Sequence, residues 1–395
     1  MNSPSTLSID TSASAMARPT REQLLARARE MVPALKERAA ECENLRRAPA
    51  QTIEDFRQAG FFKIGQPQKY GGYEMDYDVL CEVIMEVARG CAASGWNLAV
   101  LGEHQATIGD SSEQALEEIW GQSPDALLAS GNDPKAELVP VDGGYRFTGR
   151  LRFSSGCDHA SWWLTGAPVA GSGSRARRRV LLSGRDAKII DNWHVAGMSG
   201  SGSKDVEFND VFVPAYRVLD PSISRNPHPN YRLPQLSTKP FTLVAVCLGA
   251  AGGMIEQYAE WMTSRISRDG DTLSDFQSVQ MRIGESAAEF DAARRVLVAD
   301  VREALACLRI QDKLPLDMHI RNRRDLAYCS CLAIRISERI SYGAGAYGWF
   351  ASNDLQRKFR DIHAGSMQLR LHWDSNMAAY GRFRLGLPIG GPEYV

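Results

Sequence analysis

The sequence predicts an α+β fold in which a β-domain lies between two helical regions. Apolar residues follow helical spacing at both ends of the chain, whereas the middle shows two-residue alternation and frequent turn signals. A chain of 395 residues is too long for a single hydrophobic core. We therefore expect a disordered tail over 1–18, an N-terminal helical domain over 19–129, a central β-barrel or sandwich over 130–234 and a C-terminal four-helix bundle over 235–395.

Composition narrows the class of protein. A net charge of -1 and 44% hydrophobic residues are ordinary for a globular protein and favour no nucleic-acid partner. The short cluster Arg175–Arg179 is interpreted as a solvated loop. No window of about 18 apolar residues predicts a membrane span, and residues 1–20 lack the pattern of a secretion signal. The eight cysteines are scattered without a CxxC pair, which favours reduced thiols in a cytoplasmic protein and no metal site.

Helical spacing defines the first region. Leu24, Leu25, Ala28 and Leu35 mark a helix that begins near Pro19. The pattern then predicts further helices over Thr52–Ala59, Tyr77–Ala88 and Ser94–Ile108.

The central region contains the most informative stretch, GYRFTGRLRFSSG. Tyr145, Phe147, Leu151 and Phe153 share one parity, which predicts a strand that buries all four. The strand runs into Ser154-Ser155-Gly156. About forty residues later, a loop rich in Gly and Ser separates Trp193 from a second strand over Val206–Val213. Such a pair of turns suits a bound cofactor, and it suits two ordinary turns equally well.

The last region is predicted as four helices. Leu243–Met262 is almost wholly apolar and should be buried on most sides. A long amphipathic helix over Ser274–Leu308 begins with a capping-box pattern formed by Ser274 and Gln277. The remaining helices are expected over Leu326–Ile340 and Leu355–Arg382.

Several blocks together resemble the acyl-CoA dehydrogenase superfamily. The blocks are DFRQAGFFKIGQPQKYGGYEMDYDVLCEVIMEVARGCAASGW, GGYRFTGRLRFSSGCDHASWWLTGA, LGAAGGMIEQYAEWMTSR and SYGAGAYGWFASNDLQRKFRDIHAGSMQ. They follow the order of that family from about residue 20 to near the end of the chain. Within the superfamily, SSGCDH and DNWHVAGMSGSGSKDVEFNDVFVP are most similar to the reduced-flavin monooxygenases.

The resemblance implies the oxygenase component of a two-component flavin-dependent monooxygenase. Such a protein uses diffusible reduced FMN or FAD and O2, forms a C4a-hydroperoxyflavin, and hydroxylates a small aromatic, polycyclic or amine substrate. A separate NAD(P)H flavin reductase supplies the reduced flavin, because the chain has no nicotinamide-binding GxGxxG on a βαβ unit. The superfamily also implies a homotetramer.

Two alternatives stay open. An acyl-CoA dehydrogenase-like enzyme needs a carboxylate base, but Ala364 and Lys239 stand at the two positions where the family places it. A dehydrogenase reading therefore requires a displaced base. A catalytically inactive flavin-fold protein that serves as an assembly partner is the second alternative.

The resemblance assigns four candidate catalytic residues. His104 matches a histidine that faces the substrate, although a single histidine on an apolar helix is often structural. Ser130 lies where the family brings polar side chains to flavin or substrate. Gln368 stands where many hydroxylases carry a histidine near flavin C4a. An amide cannot shuttle a proton, so His363 is the alternative proton source.

Six candidate cofactor-binding residues follow in the same way. Ser154 or Ser155 would bind flavin N5, unless the pair only forms a turn. Trp193 would cover the edge of the isoalloxazine or fill the core of the β-domain. Asn132 would contact the flavin or the substrate, unless it is an ordinary loop residue. Arg265 and Gln277 would bind the flavin phosphate of a neighbouring subunit. Alternatively, Arg265 lies at a solvated helix end and Gln277 only caps its helix.

Overall fold

The computed structural model describes residues 18–172, 177–219 and 226–389. Helices come first, a β-domain follows and helices end the chain, as the α+β prediction requires. The predicted tail lies outside these ranges apart from Arg18, so its disorder stays a prediction.

The N-terminal helices form where helical spacing predicts them. Thr20 begins the first with a capping box, because its hydroxyl accepts from Gln23 N (3.2 Å) while Gln23 Oε1 accepts from Thr20 N (2.8 Å). The helices are α1 (Arg21–Glu37), α2 (Ala39–Leu45), α3 (Ala50–Gln58), α4 (Tyr77–Gly90), α5 (Ala92–Ile108) and α6 (Glu113–Leu116). Nearly every residue of α5 is buried, including polar ones, so this helix crosses the centre of the protein.

The β-domain consists of two four-stranded sheets packed as a sandwich. The strands are β1 (Leu128–Ser130), β2 (Glu137–Val141), β3 (Gly144–Ser154), β4 (Trp162–Pro168), β5 (Arg177–Ser183), β6 (Lys188–Ile190), β7 (Lys204–Pro214) and β8 (Val218–Leu219). One sheet has the order β1-β4-β5-β8 and the other β2-β3-β7-β6; β1 and β4 are parallel and the remaining pairs antiparallel. Phe147, Trp163 and Phe208 fill the space between the sheets.

Two sequence interpretations within this domain are wrong. Arg177–Arg179 belong to β5 and not to a loop, because they pair with β4 along the sheet. Phe153 is exposed, whereas Phe147 and Leu151 are buried and Tyr145 is partly buried, because the register shifts between Leu151 and Ser154. Such a bulge reverses the face that the following side chains occupy.

The C-terminal region contains α7 (Phe241–Ser264), α8 (Gln277–Ile310), α9 (Leu316–Ala344), α10 (Asp354–Ser366) and α11 (Trp373–Arg384). The first four pack together as a bundle. The single helix predicted over Leu355–Arg382 is wrong, because it is interrupted between α10 and α11. At the interruption, Gln368 Oε1 accepts a hydrogen bond from Arg370 N (2.6 Å) and caps a short turn. This side-chain bond takes the place of the backbone bond that a continuous helix would form there.

Helix α7 is apolar and long enough to cross a membrane, contrary to the expectation from composition. However, 78% of its most apolar window is buried inside the protein. It packs against α4, α5, α8, α9 and α10, which is the position of a core helix.

Candidate active site

At the end of β3, Phe153 points to solvent and the neighbouring Ser154 points into the core. Phe153 has φ +55° and its side chain is 70% exposed, whereas Ser154 is buried. Ser154 Oγ accepts a hydrogen bond from Trp163 Nε1 (3.0 Å) in the core of the sandwich. Of the two serines predicted to bind flavin N5, Ser154 therefore has its hydroxyl turned into the core.

Ser155 belongs to a chain of hydroxyls between the β-domain and α5. Its Oγ accepts from Trp96 Nε1 (3.1 Å) and lies 2.6 Å from Ser203 Oγ. Ser203 Oγ in turn lies 2.7 Å from Ser201 Oγ. The turn after β3, the Gly/Ser loop before β7 and α5 thus meet at this serine.

An open cavity of about 470 Å³ lies beside this chain. Its walls include Phe153 and Trp193, whose rings meet edge to face at 6.0 Å and 85°. Ser203, a member of the hydroxyl chain, also lines the cavity. Trp193 is half-buried and its Nε1 donates to Met198 O (3.1 Å), so it borders the cavity and does not fill the core. Two aromatic rings and a hydroxyl chain fit a planar, polar ring system such as a flavin.

The Gly/Ser loop is fixed by a buried carboxyl on α10. Met198 adopts φ +56°, and its backbone N donates to Asp361 Oδ1 (2.6 Å). Burial raises the pKa of Asp361 to about 7. On the other side, Asn97 Nδ2 on α5 donates to Gly200 O (3.0 Å). The loop therefore connects the β-domain to both helical regions.

His104 is buried on α5. Its Nδ1 lies 2.8 Å from Leu128 O, a contact that requires the proton to be on Nδ1. Its Nε2 lies 3.4 Å from Glu103 Oε2. Burial lowers the pKa of His104, which favours the neutral ring even though Glu103 acts in the opposite direction.

Glu103 is the centre of a buried polar cluster that the sequence analysis did not identify. It accepts a hydrogen bond from the Thr107 hydroxyl, and its Oε1 lies 3.7 Å from Lys239 Nζ. Lys239 Nζ and Gln235 Nε2 both donate to Thr107 Oγ1, at 2.6 and 3.1 Å. Only the tertiary fold brings these residues together, since Lys239 lies 132 positions after Thr107.

The charges of this cluster shift one another's pKa values. Burial acts to raise the pKa of Glu103, but His104, Lys239 and Thr107 together hold it below its ordinary value. Burial lowers the pKa of Lys239 to about 8. A carboxylate so stabilised in its ionised form is a weak general base. It nevertheless lies beside Lys239, one of the two positions where the resemblance to the dehydrogenases would place a glutamate.

Ser130 and Asn132 make contacts within the β-domain. Ser130 is half-buried on β1 and pairs with Leu164 on β4. Asn132 is exposed, and its Oδ1 accepts from Arg177 Nη2 (2.9 Å). Neither lies among the residues that line the Phe153–Trp193 cavity.

Gln368 and His363 occupy separate positions. The Gln368 side chain caps its own turn, as described above. His363 stacks on Phe359 with centroids 4.3 Å apart, and its Nε2 lies 3.4 Å from Ser337 Oγ on α9. Successive helical residues are about 100° apart, so His363 lies on the face of α10 opposite to Asp361. Burial lowers the pKa of His363.

Arg265 and Gln277 lie on the helical bundle, and among the described residues neither contacts the lining of the cavity. The Arg265 guanidinium is stacked between Trp261 (4.5 Å) and Tyr347 (4.4 Å). The predicted capping box is wrong, because Phe276 is the N-cap of α8 and Ser274 lies in a preceding turn. Gln277 is exposed at the first position of the helix.

No group of three or more His, Cys, Asp or Glu side chains placed to bind a metal ion occurs within residues 18–172, 177–219 and 226–389. All eight cysteines are free, and six are buried. Among these thiols, Cys42 Sγ lies 3.8 Å from Gly200 O of the Gly/Ser loop.

Comparison with known proteins agrees with this geometry. Residues 18–112 match the family described as acyl-CoA dehydrogenase, N-terminal domain, and residues 241–372 match acyl-CoA dehydrogenase, C-terminal domain. The chain is 33% identical to the flavin-dependent monooxygenase oxygenase subunit HsaA of Rhodococcus jostii, over 91% of this chain and 97% of that protein. It is 31% identical to the oxygenase component of the FADH2-dependent resorcinol hydroxylase of a Rhizobium species, over 89% and 91%.

A solved structure gives the same result. XiaF from a Streptomyces species, determined in complex with FADH2 and glycerol, superposes with a TM-score of 0.87 at 25% identity, covering 94% of this chain and 97% of XiaF. The chain therefore belongs to the acyl-CoA dehydrogenase superfamily and, within it, to the oxygenase components of two-component flavin-dependent monooxygenases.

Proposed function

We propose that the protein binds reduced flavin in the cavity between Phe153 and Trp193 and hydroxylates a small aromatic, polycyclic or amine substrate. The observation that carries this proposal is the aromatic cavity placed beside the Ser155 hydroxyl chain. Phe153 would pack its ring against the isoalloxazine, and Ser155 would offer its hydroxyl to flavin N5. Ser155 is the better candidate for N5 of the two serines, because the Ser154 hydroxyl is bonded to Trp163 in the core.

As an oxygenase component the protein uses O2 and reduced flavin that a separate reductase supplies. When bound, the flavin provides the electrons with which one oxygen atom enters the substrate and the other leaves as water. The protein's own task is to hold the ring, orient the substrate and exclude water. The hydrogen bonds of Met198 and Asn97 described above keep the cavity wall in place for this task.

On the substrate side, we assign His104 and Ser130 to orientation of the substrate. The Nδ1–Leu128 bond sets the tautomer of His104. The resemblance puts Gln368 where many hydroxylases carry a histidine near flavin C4a, and an amide cannot shuttle a proton, so we propose that the proton passes through another group. His363 stays our candidate for this transfer in the assembled protein, although in a single chain it faces α9.

We further propose a homotetramer in the cytoplasm. Arg265 and Gln277 would then contact the flavin phosphate of a neighbouring subunit, and Asn132 would act from the β-domain. Arg265 and Gln277 do not line the cavity within one chain, so this phosphate contact would come from a second copy. Each subunit would consist of the three proposed domains, over 19–129, 130–234 and 235–395. Strand β1 begins at Leu128, two residues before the proposed start of the β-domain.

The experiment that tests this function is anaerobic titration with photoreduced FMN and, separately, FADH2, followed by mixing with O2 and resorcinol. We expect tight binding of one reduced flavin, weaker binding of its oxidised form, and O2-dependent oxidation of a phenol. Replacement of the reduced flavin by oxidised flavin is the control and should abolish product.

Two other results would redirect the assignment. Tight binding of oxidised flavin with rapid reduction by an acyl-CoA would support the dehydrogenase alternative, with Glu103 as the displaced base. An intact assembly without any flavin binding would support the inactive partner.

A further inference from the structure

The hydroxyl of Ser155 has few hydrogen-bonding possibilities left for a ligand. A serine hydroxyl has one hydrogen and two lone pairs. Trp96 Nε1 donates to Ser155 Oγ (3.1 Å), and an indole N–H only donates, so one lone pair is taken. Ser203 Oγ, 2.6 Å away, uses either the hydrogen or the second lone pair. Ser155 therefore either donates to a ligand or accepts from it, and Ser203 takes the opposite role.

Ser201 fixes the other end of the hydroxyl chain. It is 1% exposed, and its Oγ lies 2.7 Å from Ser203 Oγ. Within residues 18–172, 177–219 and 226–389, the Ser201 hydroxyl makes no other hydrogen bond. A buried hydroxyl hydrogen without an acceptor is unfavourable. The Ser201 hydrogen is therefore donated to Ser203, which acts as its acceptor.

Two arrangements of hydrogens satisfy all these contacts. In the first, Ser203 donates to Ser155, and Ser155 donates into the cavity. In the second, Ser155 donates to Ser203, and a lone pair of Ser155 is left for a ligand. Ser203 then accepts from both neighbouring serines and turns its own hydrogen towards the cavity, which it lines. The two arrangements differ only by rotation of two hydroxyl groups.

The two arrangements match the two redox states of a flavin. N5 of oxidised flavin is a hydrogen-bond acceptor, whereas N5 of reduced flavin carries a hydrogen and donates. A ring placed with N5 at Ser155 is therefore bound by the first arrangement when oxidised and by the second when reduced. Only in the second does the Ser203 hydroxyl offer a hydrogen to whatever enters the cavity beside the reduced ring. Hydrogen bonds to ring nitrogens are one means by which a protein tunes such a cofactor.

We propose that Ser203, held by Ser201, is a hydrogen-bond switch that lets Ser155 accept from reduced flavin and so raises the preference of the site for the reduced cofactor. The inference rests on the proposed function, because it places flavin N5 at Ser155. Ser203 is a positioning residue, since it acts on N5 through Ser155. Without the Ser203 hydroxyl, the Ser155 hydrogen has no acceptor while the flavin is reduced.

Anaerobic titration with both redox states of one flavin tests the switch. The full-length protein and its Ser203→Ala variant would be titrated with oxidised and with photoreduced FMN, and separately with both forms of FAD. The measured quantity is the ratio of the dissociation constant of the oxidised form to that of the reduced form. Ser203→Ala should lower this ratio roughly three- to tenfold, chiefly by weakening the binding of reduced flavin, as loss of one hydrogen bond predicts.

A modified flavin separates this effect from a general loss of structure. In 5-deaza-FMN a carbon replaces N5, so this position neither accepts a hydrogen bond when oxidised nor donates one through nitrogen when reduced. Ser203→Ala should therefore leave the ratio for 5-deaza-FMN unchanged. The matched protein control is Ser199→Ala, which removes a hydroxyl of the same loop that donates to Glu43 O (3.2 Å) and does not contact Ser155. It should leave the ratio for FMN unchanged.

The outcomes distinguish the switch from the proposed function. Failure of the unmodified protein to bind reduced flavin would overturn both. Normal binding with an unchanged ratio in Ser203→Ala, or an equal change with 5-deaza-FMN or in Ser199→Ala, would overturn the switch alone. If Ser203→Ala does not fold, Ser203→Cys carries the test: a thiol has a similar shape but is only a weak acceptor, so the ratio should fall in the same direction, and an unchanged ratio would overturn the switch.

Discussion

Ser154 and Ser155 are neighbours in sequence, but their hydroxyls contact different parts of the protein. Ser154 bonds the core residue Trp163, whereas Ser155 joins Trp96 and Ser203 beside the cavity. The difference comes from the bulge at the end of β3, which also turns Phe153 outward. A single extra residue in one strand thus selects which side chains face the cavity.

The two serines should respond differently to removal of the hydroxyl. Ser155→Ala should weaken flavin binding roughly tenfold, because one hydrogen bond at the ring is lost, and should also lower stability, because Trp96 Nε1 loses its acceptor. Ser154→Ala should leave flavin binding unchanged and lower the free energy of unfolding by about 1–3 kcal/mol, because Trp163 Nε1 loses its buried acceptor. Flavin titration and urea denaturation of both variants check this. Equal flavin binding by Ser155→Ala and the unmodified protein would contradict the assignment.

Asp361 should make stability depend on pH. Its folded pKa is raised to about 7 by burial, above its value of roughly 4 in the unfolded chain. The folded state therefore binds more protons between these values, and the stabilising contribution present below about pH 4 is lost as pH rises to about 7. Asp361→Asn keeps an acceptor for Met198 N and should flatten this slope in denaturation curves.

The buried Asp300 provides a comparison for that measurement. Burial and Asp325 raise its pKa to about 7 as well, but it lies on α8, far in sequence from the Gly/Ser loop. Asp300→Asn should remove a separate part of the slope without affecting flavin binding. A slope unchanged in Asp361→Asn would show that the Met198 contact holds the carboxylate ionised.

At the scale of elements, the Gly/Ser loop before β7 connects three parts of the fold. It bonds α5 through Asn97 and Gly200, and it bonds α10 through Met198 and Asp361. A side chain at Gly200 would meet Cys42 Sγ at 2.3 Å and Cys42 O at 2.9 Å. The loop can therefore lie against α2 only because this residue has no Cβ.

Gly200→Ala should lower thermal stability and weaken flavin binding together, because the loop must move away from α2. Gly284→Ala is the matched control: it lies within α8, where an added Cβ meets nothing within 4 Å. That change should raise the free energy of unfolding by up to about 1 kcal/mol, since alanine favours helix. Calorimetry gives the stability, and retention of full flavin affinity by Gly200→Ala would contradict the proposed role of the loop.

At the scale of the whole molecule, the helical bundle exposes a group of aromatic residues. Tyr342 is 81% exposed, and Tyr347, Trp349 and Phe350 are each more than half exposed. Arg265 stacks on one of them, Tyr347. Exposed aromatic groups of this kind are typical of interfaces between proteins, which supports the proposed assembly at the end of the bundle.

Light scattering should give the mass of four chains for the unmodified protein. The double change Tyr342→Glu and Phe350→Glu should yield smaller species and weaker flavin binding, because charges are placed in an apolar interface and the partner's phosphate contacts are lost. The exposed Val139→Glu, on β2, is the control and should leave the mass unchanged. A monomer in the unmodified protein would contradict both the tetramer and the assigned roles of Arg265 and Gln277.

Much of the fold follows from local patterns. Helical spacing identifies α1, α4, α5 and α7, because a buried stripe recurs every three to four residues whatever the neighbours are. The alternation of apolar and polar residues likewise identifies β3 as far as Leu151, because every second side chain of a strand lies on the same face. Ordered blocks along the chain were specific enough to indicate the superfamily, which is a property of sequence alone.

The tertiary structure decided the site. Phe153 faces outward because the pairing with β7 shifts, and a bulge leaves no clear mark in the alternation of a single strand. Glu103, Thr107 and Lys239 meet because α5 and the start of α7 are packed together, a contact between residues more than a hundred positions apart. Sequence by itself determined the elements and the family; three-dimensional packing decided which side chains share a cavity, because that depends on contacts between distant segments.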